Sequence, residues 1–121
     1  MPLAILTQGK TAIRDSLKTL VTHVGISADS TAFAVGQTTM SPGGGTNIIK
    51  ASTEVDVDTA TFDASCTITS ADGTGSFRTV SILNGAAATN AITRSVRTNG
   101  IGIDAGDTYT VTVRVQVQDN S

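Results

Sequence analysis

Residues 108–118 read Thr108-Tyr109-Thr110-Val111-Thr112-Val113-Arg114-Val115-Gln116-Val117-Gln118. Tyr109, Val111, Val113, Val115 and Val117 fall on one side of an extended chain. Thr108, Thr110, Thr112, Arg114, Gln116 and Gln118 fall on the other. This period-two alternation predicts a half-buried antiparallel strand. Fully burying each large apolar side chain is worth roughly 1.5–3 kcal/mol, so this strand is the expected spine of the core.

The chain around it has 121 residues, one domain's worth. Its hydrophobic fraction is 39% with only 3% aromatics and no Trp, so the core has to be built from Val, Ile, Leu and Ala. Charged residues make up 15%, below the usual quarter. The polar surface comes instead from 21 Thr and 11 Ser, and Thr is stiff at χ1 and suits a pleated strand. A net charge of −2 with this hydrophobic content predicts a folded chain. The balance of eight basic to ten acidic residues lacks the basic footprint of a nucleic-acid binder. The apolar start, residues 1–6, is short and lacks a basic flank, so no signal peptide is expected. No apolar run reaches membrane-spanning length, and no membrane partner is expected.

Upstream, Ile13, Leu17, Leu20, Val21 and Val24 recur on one helical face, which predicts a helix over 7–24. Thr7 is its expected N-cap and Gly25 its stop. Lys18 and His23 then complement the macrodipole at its end. This helix is expected to lie on the Val face of the last strand. Strands are expected at 31–35, 47–57, 59–69, 76–83, 91–97 and 108–118. In the third of these, Phe62, Ala64, Cys66 and Ile68 face in, and Thr61, Asp63, Ser65 and Thr67 face out. Asp72-Gly73, Asn84-Gly85 and Asn99-Gly100 are turn pairs, the first a hairpin signal. The expected fold is mainly β: a single domain over 1–121, an antiparallel β-sandwich of about six strands with one N-terminal α-helix.

Candidate chemistry is sparse. Pro42-Gly43-Gly44-Gly45 has no Gly-Lys-Ser/Thr ending and no following helix. It reads as a flexible loop or interface arm, not a phosphate cradle. Glu54, Asp56 and Asp58 would share one strand face, and their spacing fits no established calcium loop. They read as a solvated edge that discourages edge-to-edge pairing. Cys66 has no Cys or His partner in sequence and reads as a small core residue. His23, the only His, has no Gly-x-Ser-x-Gly elbow to serve. Arg78, Arg94, Arg97 and Arg114 all fall on expected strands. They form either a polar outer face or cross-subunit pairs with Asp56, Asp58 or Asp63. No catalytic, cofactor-binding or metal-ligating set is expected. His23, Gly43, Gly44, Gly45 and the four arginines are the candidate subunit or particle contacts.

Several segments follow one another in a characteristic order. Gly9-Lys10 opens the helix, and Ala34-Val35-Gly36-Gln37-Thr38-Thr39 follows it. Next comes the Thr-rich strand Ala60-Thr61-Phe62-Asp63-Ala64-Ser65-Cys66-Thr67. Ser81-Ile82-Leu83-Asn84-Gly85 leads through a small-residue turn to Ala91-Ile92-Thr93-Arg94-Ser95. The chain closes with Asp104-Ala105-Gly106-Asp107 before Thr108-Tyr109. From about residue 7 to 118 this order resembles a group of small virion structural proteins of tailed bacteriophages and prophages. The chain departs from the pattern at Thr79-Val80, where a Glu is usual, and at Leu83, where an aromatic is usual. The resemblance implies a non-enzymatic component of the head, neck or tail, made in the host cytoplasm and located in the virion. Its implied partners are other copies of itself, a trimer being one arrangement, and phage head, neck or tail proteins. The alternative is a carbohydrate- or host-surface-binding β-module, for which one Tyr, three Phe and no Trp supply a poor aromatic platform.

Overall fold

The computed structural model describes residues 6–118. Helix α1, Thr7–Leu20, is followed by strands β1 (His23–Ser27), β2 (Asn47–Ala51), β3 (Thr53–Asp58), β4 (Thr61–Thr69), β5 (Gly75–Leu83), β6 (Ser95–Ile103) and β7 (Thr108–Gln116). One antiparallel sheet has the order β2-β1-β5-β6 and the other β3-β4-β7. The two sheets face each other as a β-sandwich, as expected.

The spine of the core is β4 rather than β7. Phe62, Ala64 and Ile68 have no exposure and Cys66 has 6%. They meet Val24, Ile26, Ile48, Phe77, Ile82, Ile101 and Ile103 of the opposite sheet in one cluster. β4 is central, paired to β3 on one side and to β7 on the other. β7 keeps the alternation read from its sequence, but it lies at a sheet edge. Of its inward row only Val111 is buried, while Tyr109, Val113 and Val115 are half-covered.

Four expectations are corrected. The helix ends at Leu20, with Leu6 rather than Thr7 at its N-cap. Residues 23–27 leave the helix because both their edges are taken up by sheet pairing. Val24 lies opposite Lys50 and Ile82, and Ile26 opposite Ile48 and Val80. His23 therefore opens a strand, where it has no helix dipole to offset, and Gly25 lies inside that strand. A Cβ on Gly25 would sit 3.0 Å from Met40 Cε and 3.2 Å from Leu83 Cδ1. Of the expected apolar helix face, Leu17 packs on the core, whereas Ile13 and Leu20 are exposed. The helix packs nearest to β4 and is hydrogen-bonded to β3 and the β3–β4 turn. Thr11 Oγ1 donates to Thr59 O at 2.8 Å, Arg14 to Asp58 O at 2.6 Å, and Lys18 Nζ to Asp56 at 2.8 Å.

Second, the strand expected at 31–35 is loop. Third, the strand expected at 47–57 is divided at Ser52, and its halves belong to different sheets. Ser52 N–H bonds to Thr22 O at 3.0 Å, which turns the chain at the sandwich corner. Fourth, 91–94 is not strand, and Asn99-Gly100 lies inside β6 rather than breaking it. Asp72-Gly73 does form a turn, with Asp72 N–H on Thr69 O at 3.0 Å. It carries the chain from β4 in one sheet to β5 in the other, so it is an arch and not a hairpin.

Candidate functional site

The connection between β1 and β2 covers 28–46, although the two strands are antiparallel neighbours. Such neighbours are usually joined by two to five residues, and a long loop without structure of its own commonly serves function. This one begins as a continued ladder, with Ala28 N–H donating to Thr46 O at 2.9 Å. Beyond that it is pinned at two points inside the protein and exposed at its tip.

The first pin is Asp29. Its backbone carbonyl accepts Thr79 Oγ1 from β5 at 2.6 Å. Its carboxylate accepts Thr31 N–H at 2.9 Å, Thr31 Oγ1 at 2.6 Å and Gly43 N–H at 2.7 Å. The Asp29-Ser30-Thr31 spacing suits this side-chain-to-backbone turn. The second pin is Met40, which has no exposure. Its N–H donates to Ala88 O at 3.1 Å.

Arg94 ties the two pins together. Its Nε donates to Met40 O at 3.0 Å, Nη1 to Gln37 Oε1 at 3.2 Å, and Nη2 to Thr31 O at 2.6 Å. Nη2 also lies 3.8 Å from Asp29 Oδ2, and each side chain of this pair is 4% exposed. A planar guanidinium with fixed donors can serve several acceptors at once, which a lysine cannot. Burial alone would push the Asp29 carboxyl up. The hydrogen bonds from Thr31 and Gly43, with the Arg94 charge, outweigh it and hold the carboxyl below its ordinary value.

This sets the sign of a pH effect. A carboxyl depressed by folding contributes stability above its unfolded value, near 3.9, and loses it as pH falls through the lower folded value. Asp29→Asn is expected to cost about 2 kcal/mol at neutral pH. The gap from wild type should close as urea unfolding is repeated below about pH 4. A gap that stays constant with pH would exclude the charged form as the source.

The glycine run is held by the same clamp. A Cβ on Gly43 would collide with Thr31 Oγ1 and stand 2.8 Å from Asp29 Oδ1. Gly45 has φ +115, open to glycine and strained for other residues. Gly44 N–H closes a turn on Ser41 O at 3.0 Å. The expected loose loop is therefore a tied one.

Between the pins the chain is exposed without interruption from 30 to 36. Phe33 is 66% exposed and Val35 97%. Ile92, 38% exposed, stands across a shallow cleft from Phe33, with Gln37, Thr38 and Thr93 along its sides. The arrangement is an apolar tip on a clamped base.

The other sequence candidates lie elsewhere. The four arginines do not form one face. Arg78 Nε donates to Arg97 O at 3.0 Å, and Arg97 is exposed on β6. Arg114 pairs with Asp63 of the same chain at 2.9 and 3.1 Å, and this pair holds the Asp63 carboxyl low. Asp56 is taken by Lys18 at 2.8 Å and Arg14 at 3.6 Å. Asp58 accepts Ala60 N–H at 2.9 Å. The carboxylates offered as one set of cross-subunit partners are thus engaged within the chain. His23 Nδ1 lies 2.8 Å from Thr22 Oγ1, away from the arm. Cys66 is buried, which pushes its thiol pKa up and disfavours the thiolate. Among the described residues no group of three His, Cys, Asp or Glu is placed to hold a metal.

Sequence reasoning missed Asp29, Met40 and Thr79. The Asp-x-Thr turn and a lone Met in a polar stretch were usable signals for the first two. Thr79 carried none, because its partner is 50 residues away.

The site is a long loop on a β-sandwich, clamped at its base by Asp29, Arg94 and Met40 and exposed at its tip. Comparison with protein-family models, with curated proteins and with solved structures finds no match.

Proposed function

We propose that the chain is a non-enzymatic structural component of a bacteriophage particle, multimerising on the head, neck or tail and docking through the 28–46 arm. The observation that carries this reading is the exposure of Phe33 and Val35 on a loop whose base is fastened by Asp29, Arg94 and Met40. Water-exposed apolar side chains at a loop tip gain free energy when a partner covers them, roughly 1.5–3 kcal/mol each on full burial. A base ordered in advance lowers the entropy lost on docking. Contacts this small hold by repetition, since copies bound side by side on one particle engage as a multivalent array. The order of sequence segments, which resembles that of small tailed-phage virion proteins, supports the same reading.

The test is immunogold labelling of particles from a producing lysate, with the wild type and a Phe33→Ser, Val35→Ser double variant. Wild-type protein is expected to decorate particles at one location. The double variant should fold with unchanged stability, because both side chains are exposed, yet lose most of its label. Label on no intact particle would overturn the reading. A second reading, a carbohydrate-binding module, draws on one observation: the exposed Phe33 ring beside the amide and hydroxyls of Gln37, Thr38 and Thr93. Saturable binding to host polysaccharide, lost with Phe33→Ser, would favour it.

A further inference from the structure

Each sheet of a sandwich ends in two strands whose outer N–H and C=O groups lack ladder partners. Natural proteins blunt such edges with short strands, bulges, charges or a covering element. Three of the four edges here carry such a device. β2 is short, with five residues. β3 has a register shift between Asp56 and Asp58, carries both carboxylates, and is tethered to α1 through Lys18 and Arg14. β6 bulges between its pairs with Phe77 and Thr79, setting residues 97–100 against Arg78 alone, and includes Gly100 and Gly102.

The fourth edge, β7, has none. Its pairing with β4 runs from Thr108 to Gln116 without a shift. It contains no Pro, Gly or Lys. Its one charge, Arg114, is already neutralised by Asp63 on the strand behind it. Among the described residues nothing hydrogen-bonds its outer row. Thr, Val and Tyr, which make up most of it, favour extended pairing.

We propose that β7 is a self-pairing edge, joining two copies of this chain antiparallel about a two-fold axis at Thr112. A two-fold antiparallel pair places a residue opposite itself, so the two faces stay in register. With Thr112 opposite Thr112 of the second copy, Val111 lies opposite Val113, Tyr109 opposite Val115, Thr110 opposite Arg114, and Thr108 opposite Gln116. The register uses all nine residues, sets no like charges opposite each other, and extends the half-covered Tyr109, Val113 and Val115 row across the junction. Self-complementarity of this kind is what an isologous contact requires, and it singles out a second copy over an unrelated strand. The two β3-β4-β7 sheets become one continuous six-stranded sheet. Two-fold closure gives an even copy number, in place of the threefold arrangement considered from sequence. The proposal deepens the multimerising-component reading and takes its setting from it.

The experiment is sedimentation equilibrium on the full chain as wild type, Thr112→Lys, Thr112→Glu and an equimolar mixture of the two variants. Residue 112 is exposed on the outer face, so both variants should fold, as checked by circular dichroism. Wild type is expected to sediment at twice the chain mass or an even multiple. Each variant alone places like charges at the axis, and its dissociation constant should rise by about a hundredfold. The mixture should restore the wild-type association, which misfolding could not produce. A monomeric wild type, variants that associate as wild type does, or a mixture that fails to recover would each overturn the proposal. Gold labelling of particles with Thr112→Lys separates it from the wider reading. Retained label with a monomeric wild type refutes only self-pairing, and label on no particle for any form refutes the particle reading. Label lost by Thr112→Lys while wild type is monomeric would assign the edge to a different protein and overturn self-pairing.

Discussion

Arg94→Ala is expected to lower the free energy of unfolding by about 3–5 kcal/mol, the usual cost of removing one partner of a buried ion pair. The loss comes less from the attraction to Asp29, 3.8 Å away, than from what is left behind. The carbonyls of Thr31 and Met40 and the amide of Gln37 would lose their donors, and the Asp29 carboxylate would stay buried without a cation. Arg94→Lys should recover only part of the loss, since one ammonium cannot reach acceptors spread over three residues. Urea unfolding measures the size of the effect. Amide exchange locates it: protection should fall first at Gly43 and Met40, whose N–H groups are fixed by the clamp. A stability change below about 1 kcal/mol, with exchange unaltered, would mean that the pins hold without the arginine.

Phe62→Ala is expected to cost a similar 3–5 kcal/mol by a different route. The ring has no exposure and lies on the central strand of its sheet, facing the opposite sheet. Alanine there leaves a cavity that neighbouring β-branched side chains cannot fill by rotation. Exchange separates the two lesions. Phe62→Ala should raise exchange throughout β4 and its partners by lowering global stability. Arg94→Ala should open the arm well before the sheets. If both variants gave one uniform exchange pattern, the arm would be part of the same cooperative unit as the core.

The sandwich was legible because alternation survives in the chain. Phe62, Ala64, Cys66 and Ile68 were read as inward and are all buried; of the four read as outward Thr67 is exposed and Asp63 and Ser65 are half-buried, whereas Thr61 is buried. Rank within the sheet was not legible. The alternation of 108–118 is cleaner than that of 61–69, yet β7 is at an edge and β4 is central, because pairing partners leave no mark on a strand's own periodicity. The misjudged end of the helix has a related cause. Val21 and Val24 fit a helical face as well as they fit a strand, and the decision came from β2 and β5. Of the candidate site, the glycine run was visible and Arg94 was picked out. Its role was not, since its acceptors at Thr31, Gln37 and Met40 are brought to it only by folding.

The separation between Arg94 and its acceptors also bears on when the arm takes shape. The bonds it makes to Met40, Gln37 and Thr31 span 54, 57 and 63 positions of the chain. Contacts that distant close late, after the local turns have formed. During synthesis residues 28–46 leave the ribosome long before residue 94, so the tip carrying Phe33 and Val35 has no finished base until β5 and the segment leading into β6 are made. A chain that stops short of residue 94 therefore lacks the donors that fix Thr31, Gln37 and Met40, so the order of the arm depends on a segment made well after it.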